Sequence, residues 1–599
     1  MLAPLLGLAL ATRGVLACGG HGEHAHPPVR RVQPGATSST AWPTVPLEWG
    51  NINFIHTTDT HGWLLGHLHS SPPEPSYSGD FGDFASFVEH MRNEADKKGV
   101  DLLVIDSGDL HDGNGLSDGF PVGQVNGQKS NEFLSALPYD VMAIGNHELY
   151  QYSVSYDMHT NFAPRLNGRY LSSNVNITVP DKQGKPVSKP LGSRVAKFTT
   201  KQKKKITAFG VLFEFTGGNA NTTVQKVAAM VNETWFKEAI QEEPDLFLLV
   251  GHMPVQKDKW PTVFNAIRAV HPTTPIVIFG GHTHIRDCVQ LDSRSMSLMS
   301  GQYMETVGWM SASLDGAKNS NEPIKFSRRN TDLILPKGKE FTKDMGRIAK
   351  EWNLTEVWGT APQDYYLDRV EYPNNSSLLN LLAEQVLPAA LAAANPERAK
   401  LPHTAVIDTG NQRFDVYAGP FTRNDQYAVS PYTNTIVYVS VPAGIAKQIV
   451  GKLNGGTGTA KRSEEDLEDY ARGEIASRFR SWKREQYNSH FEMRRDQGLT
   501  LGYVTTDSCP GVGDDIPHEP VASYAIPKYI SLPFPSDVTD DTLVDVIFYD
   551  FYQSKVISIV NSLGGGGKTY TTNDVKSWGV GQPLLTSGIY EPFVKGAWS

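Results

Sequence analysis

Seven side chains of ligand type stand in five short fragments of the chain: Asp59 and His61 in TTDTHG, Asp109 in DSGDLHDG, Asn146 in AIGNHELY, His252 in LVGHMP, and His282 and His284 in GGHTHI. One aspartate or histidine after an apolar run is most often a turn former or a hydrogen-bonded surface group. Three oxygen donors with four imidazoles make a mixed set of the kind that divalent transition metals take. Asp59 and His61 are two residues apart, as are His282 and His284, so each pair can enter one site only where the backbone turns locally. Asp109 sits in a Gly-Asp turn, where a carboxylate can lie between two ions. Two cations about 3.5–4 Å apart would clamp the attacking and departing oxygens of a displacement at phosphorus. Asn146 offers a neutral oxygen that tempers the ligand charge. His147, its neighbour, is chemically distinct: as imidazolium it can reach a phosphate oxygen without occupying a coordination position.

Apolar runs precede these residues. NFIHTTD, DLLVIDSGD, DVMAIGN, KITAFGVLF, DLFLLVGH and TPIVIFGGHTH each end in a polar or glycine-containing loop and predict sheet strands. FGDFASFVEHMRNEADKKG and VNETWFKEAIQEE have the apolar spacing of surface helices. The order is α/β, with the charged residues at the C-terminal ends of strands, where such folds place ligands. This part is expected over residues 49–335, followed by a linker and connecting helix over 336–400 that contains SSLLNLLAEQVLPAALAAANPERA, opened by Ser376 and Ser377. A second block is expected over 401–599, beginning at HTAVIDTG, with a strand at TIVYVSV, a long charged helix in SEEDLEDYARGEIASRFRSWKREQY and a mixed region containing DTLVDVIFYDFYQ at its end.

The whole chain has 599 residues, 39% hydrophobic and 10% aromatic, enough for sizeable cores and against disorder. Its formal charge of -9 argues against a nucleic-acid backbone binder but not against a small anionic substrate. KQKKKI, Lys201 to Ile206, reads as a solvated hairpin or loop. The start, MLAPLLGLALATRGVLACGG, predicts a secretory signal over 1–17, and residues 18–48 a Pro/Gly/His-rich lead-in in which His21, His24 and His26 belong to a solvated tail. Sequons at Asn176, Asn221, Asn232, Asn353, Asn374 and Asn375 fit secretion or a vacuolar destination. No apolar run is long enough to predict a transmembrane span. Three cysteines rule out a disulfide scaffold, while Cys288 and Cys509 are either bridged or two buried thiols.

The DxH, GD, GNH[DE], GH and GHxH fragments resemble the calcineurin-like metallophosphoesterase superfamily, and their spacing with the second block resembles its 5'-nucleotidase branch. The resemblance implies a four-layer α/β/β/α sandwich followed by an α+β domain. It implies two divalent metals (zinc, manganese or iron), one held by Asp59, His61, Asp109 and His284, the other by Asp109, Asn146, His252 and His282. It further implies hydrolysis of phosphate monoesters by a hydroxide held between the metals, with Asp109 and His147 catalytic and Asn146 also near substrate. The family usually reads GNHEFD, where the aspartate partners the histidine. GNHELY places Tyr150 there, so either His147 is less basic or another acid such as Asp157 substitutes.

In the second block, DTGNQRFDVYAGPFTRNDQYAVSPYTNT resembles the substrate-binding segments of the same branch. Arg413 then matches a substrate-binding arginine and Tyr432 a ring that stacks on a nucleobase, which a guanidinium and a flat phenol suit chemically. Ser508 stands where a second ring is usual, and the ESxxGN signature is absent from NNSSLLNLLAEQ. The expected partner is a small phosphorylated molecule, with nucleoside 5'-monophosphates as one class. A nucleotide-sugar or cyclic-nucleotide phosphodiesterase is the enzymatic alternative. A binding protein that has lost turnover is the other.

Overall fold

The computed structural model describes residues 46–66, 79–256, 258–316, 320–332, 339–455, 500–501, 509–514, 517–518 and 522–599. The expected signal segment, nearly all of the lead-in, the charged helix around 463–487 and Ser508 lie outside the described residues.

Why the apolar runs are continuous becomes clear from their two faces. Along Ile52–Thr57, Ile52 and Phe54 point into a core between two sheets, while Ile55 points into a core against helices. Asp101–Asp106 divides likewise, with Leu103 and Ile105 on one side and Val104 on the other. In Leu246–Val250, Leu248 and Val250 face the inter-sheet core, and Phe247 and Leu249 the helices. Strands covered on both faces need apolar residues at every position. Each fully buried side chain of this size contributes about 1.5–3 kcal/mol.

The first sheet has seven strands in the order Gly511–Asp514, Lys325–Asp332, Thr306–Ser313, Ile52–Thr57, Asp101–Asp106, Val141–Ala143, Tyr170–Leu171. The second has six: Arg286–Val289, Ser295–Ser300, Ile276–Gly280, Leu246–Val250, Lys205–Gly210, Val195–Thr199. Helices flank both, which gives the expected α/β/β/α layering. Helix Phe81–Lys98 begins at an Asp80–Asp83 capping box, ends at Gly99 with φ 67°, and buries Phe81, Phe84, Val88, Met91 and Ala95. The helix Lys339–Glu351, which the sequence reading places in a linker, packs Met345, Ile348 and Ala349 into the same core. KQKKKI forms the turn joining Val195–Thr199 to Lys205–Gly210, the solvated hairpin expected of it.

The second block is an α+β unit around a sheet ordered Tyr529–Ser531, His403–Asp408, Leu543–Tyr549, Ile436–Pro442, Lys576–Ser577. The helix from Leu378 to Ala394, capped by Ser377, lies in its core, with a π turn at Leu382–Val386 just before Pro388. Cys288 and Cys509 are bridged, fixing the second block's chain beside the sheet edge where Gly511–Asp514 pairs in parallel with Lys325–Asp332.

Candidate metal centre

Every candidate ligand leaves the C-terminal end of a parallel strand. Asp59 and His61 follow Ile52–Thr57, Asp109 follows Asp101–Asp106, and Asn146 follows Val141–Ala143, all in the first sheet. His252 follows Leu246–Val250, and His282 and His284 follow Ile276–Gly280 in the second. The loops turn sharply to deliver them. Asp59, His61, Asp109, His282 and His284 all have left-handed backbone, with φ of 51°, 45°, 59°, 83° and 64°. Such residues cost of order 1–3 kcal/mol each and persist where surrounding structure over-determines them. Here Asp59 N–H donates to Gly108 O (2.9 Å), His61 N–H to Asp109 O (3.0 Å), and His282 N–H to Asp59 Oδ2 (3.0 Å). Glycines make room: a Cβ on Gly145 would lie 2.2 Å from Asp109 Oδ1, and one on Gly281 2.3 Å from Thr58 Oγ1.

The loops converge on a buried cluster. Asp59, His61 and His284 bring ligand atoms together, as do Asp109, His252 and His282, each set within 4.8 Å. His61 Nε2 and His284 Nε2 face each other at 3.2 Å, with Asp59 Oδ1 3.3 Å from the latter. One oxygen, Asp109 Oδ2, lies 2.8 Å from His252 Nε2 and 3.8 Å from His61 Nε2, so it faces both groups. The outer nitrogens are fixed: His61 Nδ1 lies 2.7 Å from His111 O and His252 Nδ1 3.0 Å from Ser107 O. Donation there leaves each Nε2 lone pair for the centre. Asn146 Oδ1 is buried with no hydrogen-bond donor among the described residues, while its amide donates to Tyr150 Oη at 3.1 Å.

Electrostatics prepare the same atoms. Burial, then neighbouring imidazoles, hold His61 and His282 well below the usual histidine range, and burial lowers His284. Burial would raise Asp109, but His252 and His147 outweigh it and hold the carboxylate well below its usual value. His252 is the counterpart: burial pulls it down, yet Asp109 and Asp59 push it up to about 9. Three imidazoles held neutral, a fourth, His252, whose proton a cation would displace, a shared carboxylate and a carboxamide oxygen without a donor among the described residues fit two divalent cations.

His147 stands on the rim of this cluster. Its ring meets His61 edge-on at 4.6 Å, and its Nε2 is 3.8 Å from Asp109 Oδ2. Its acidic neighbour is not the Asp157 that the sequence suggests, which accepts from Gln128 and Asn161 instead. Asp112 lies there, with Oδ2 2.8 Å from His147 Nδ1. Tyr150 meets the ring edge-on at 5.0 Å.

Across the centre, the second block brings Arg413 and Tyr432. Arg413 Nε donates to Tyr303 Oη (3.1 Å) and Nη1 to Tyr432 Oη (2.5 Å), while burial is overcome by both phenols to raise the guanidinium further. Tyr432 is 1% exposed and stacks on His147 with centroids 6.0 Å apart, so its ring is committed to the His147 side of the site. The blocks also meet where Gln151 Nε2 donates to Thr433 Oγ1 (3.0 Å) and Gly115 N–H to Asn424 Oδ1 (3.1 Å).

Three residues of the site receive no role from the sequence, although Glu148 stands within the GNH[DE] fragment. Asp112 is the second acid of DLHDG. Glu148, the E of GNHE, is fully buried, where burial raises its pKa, and accepts from Leu110 N–H and Gly145 N–H, both at 2.7 Å. It thereby ties the Asp109 loop to the Asn146 loop. Tyr303, with φ 53°, bridges Arg413 to the His61 and His284 rings, and nothing in SGQYMET announces it.

Residues 52–286 match the family described as calcineurin-like phosphoesterase, and residues 364–557 the NAD nucleotidase C-terminal domain. The chain is 35% identical to a protein named a secreted protein in Arthroderma benhamiae, across 96% of this chain and 95% of that one. An uncharacterized protein of Schizosaccharomyces pombe is likewise 35% identical, covering 92% of each chain. Among solved structures, a 5'-nucleotidase from Candida albicans is 33% identical and superposes with a TM-score of 0.76 over 93% of this chain and 100% of that one.

Proposed function

From the chain's membership of the calcineurin-like phosphoesterase family, in a branch with a nucleotidase-type second domain, we propose that it hydrolyses nucleoside 5'-monophosphates at a two-metal centre. Metal-dependent hydrolysis of phosphate monoesters is the coarser activity that the buried ligand clusters and the hydrolase fold carry. The single observation behind the two-metal reading is Asp109, whose Oδ2 faces His252 on one side and His61 on the other. Asp59, His61, Asp109 and His284 would hold one cation, and Asp109, Asn146, His252 and His282 the other. Divalent cations so held neutralise phosphoryl charge and lower the pKa of a nucleophilic water.

The protein's own groups supply the rest. Asp109 fixes the spacing of the two ligand groups. His147 Nε2, on the rim, faces the position of a leaving oxygen and can stabilise or protonate it. Arg413 presents a cation to phosphate oxygens, held in place by two phenols. Burial excludes bulk water, which strengthens each of these interactions.

Entry into the secretory pathway is part of the proposal. The Cys288–Cys509 bridge suits an oxidising compartment, and the sequon residues Asn232, Asn353, Asn374 and Asn375 are exposed. The experiment is metal analysis beside hydrolysis of AMP, ATP, cyclic AMP and an aryl phosphate. Two bound divalent ions with AMP the best substrate is the expected outcome. Preference for cyclic AMP would select the diesterase reading, and equal rates on AMP and aryl phosphate would remove nucleoside specificity.

A further inference from the structure

The loop that carries Asp109 carries a second carboxylate that turns away from the metal cluster. Asp112 has left-handed backbone, φ 60°, and this turn sends its side chain to His147, with Oδ2 2.8 Å from Nδ1. Both side chains are nearly enclosed, at 12% and 6% exposure. An imidazole that donates Nδ1–H to a carboxylate has its ring plane and tautomer fixed, and its Nε2 is left for the opposite side. On that side lies the centre, 3.8 Å away at Asp109 Oδ2.

Asp112 is itself clamped. Its Oδ1 accepts from Asn126 Nδ2 at 3.1 Å, and its backbone N–H donates to Ser117 Oγ at 3.1 Å. The same Asn126 nitrogen donates to Asp118 Oδ1 at 2.7 Å, and Ser117 Oγ donates to Asn126 Oδ1 at 2.9 Å. Asp118 Oδ2 accepts from Gly113 and Asn114 N–H, at 2.8 and 2.9 Å. Asp118 thus satisfies the loop's backbone. Asp112 keeps one oxygen for the clamp and presents the other to an imidazole. The aromatic neighbours make other contacts with His147, Tyr150 packing perpendicular to its ring and Tyr432 stacking on its face.

We propose that Asp112, braced by Asn126, is the positioning residue for His147. It sets the ring so that Nε2 meets the leaving oxygen of the substrate. The assignment rests on the phosphomonoesterase reading and concerns departure of the alcohol, so its signature is dependence on the leaving group.

The test uses full-length, metal-loaded protein carrying Asp112→Asn, with kcat and KM measured on 4-nitrophenyl phosphate, phenyl phosphate and an alkyl phosphate. An imidazole held in the wrong tautomer should lower kcat on the alkyl ester by roughly 100-fold, within the range for general-acid assistance. The 4-nitrophenyl ester, whose leaving group needs little help, should lose only a few-fold, with KM and metal content unchanged. Asn126→Ala should show a weaker form of the same pattern, and Asp112→Glu should recover part of the alkyl-ester rate. If Asp112→Asn does not fold, these two variants carry the comparison. Equal losses on all esters, loss of metal, or an unchanged alkyl-ester rate would overturn the assignment while wild-type hydrolysis keeps the functional reading intact. A metal-loaded wild type that cleaves neither these esters nor AMP would sink that reading, and this assignment with it.

Discussion

The two walls of the site are built in opposite ways. On the sandwich side, Asp59, His61, Asp109, Asp112, His282, His284 and Tyr303 all hold left-handed backbone. On the second-block side, no non-glycine residue beyond Asn353 does so among the described residues, and Arg413 and Tyr432 reach the centre from ordinary backbone. The first wall stores strain that a close-packed four-layer sandwich can over-determine. The second relies on hydrogen bonds between side chains, Arg413 to Tyr303 and Tyr432. Metal ligands need fixed positions within a fraction of an ångström, and strained loops supply that. A substrate face needs complementary chemistry more than rigidity.

The sharpest way to break this contrast is Asp109→Ala. Because its Oδ2 faces both ligand groups, the variant should lose activity to the detection limit and both metals together, as elemental analysis would show. Loss of one metal alone would mean the two groups are separate sites. His147→Ala comes next, with kcat lowered by about 10²–10⁴-fold and metal content retained. A metal lost with it would move His147 into the ligand shell, where its cluster with His61 and Asp109 would then place it.

Proton linkage reads the same wall without substitution. In the metal-free protein His252 holds its proton up to about pH 9, because Asp109 and Asp59 outweigh burial. A cation must displace that proton, so metal affinity should rise with pH, about tenfold per unit between pH 7 and 9, and level off above. His61, His282 and His284 are lowered and already deprotonated in that range, so they add no slope. Calorimetry in buffers of different ionisation enthalpy should find about one proton released. A pH-independent affinity would contradict the assignment of His252.

The contrast also explains what is legible in the sequence. Ligand chemistry is strict, so seven residues at strand ends can be picked out from type and spacing, including the local turning that their i, i+2 pairs require. Asp112 cannot, because its partner depends on a left-handed turn and a clamp built by residues 117, 118 and 126. Tyr303 depends on contacts with residues 61, 284 and 413, which no local pattern encodes. The sheets are legible as runs with two covered faces, but the edge strand Gly511–Asp514 is not, since it comes from the far end of the chain. The resemblance implies that Tyr432 is a ring that stacks on a base, but its contacts are not legible locally: the ring stacks on His147 and the hydroxyl accepts from Arg413.

The bridge between the walls supplies a smaller test. Cys288 and Cys509 are 221 residues apart in sequence, and their link joins the second block to a strand that starts two residues after His284. Cys288→Ser should lower stability by about 2–4 kcal/mol, visible as a reduced thermal midpoint under non-reducing conditions. Metal content should hold, because His284 is positioned by its own loop. Loss of metal would show that the two walls are mechanically coupled.

The smallest effect belongs to the hydroxyl of Tyr432, and it separates the two building styles most directly. Tyr432→Phe keeps the ring on His147 and removes the hydroxyl to which Arg413 Nη1 donates. Arg413 keeps Tyr303, so it stays near the site with more freedom to turn. A hydrogen bond to a charged group is worth about 1.5–3 kcal/mol, and only part of this is lost here because Tyr303 still holds the guanidinium. KM for AMP should therefore rise by roughly three- to tenfold, with metal content unchanged and kcat within twofold, since the ring contact to His147 survives. The same rise is expected for an aryl phosphate, because Arg413 addresses the phosphate common to both. A rise confined to AMP would place Tyr432 against the nucleoside instead. A fall in kcat without a change in KM would mean that the phenol acts through His147, and that the second wall is as rigidly tied to catalysis as the first.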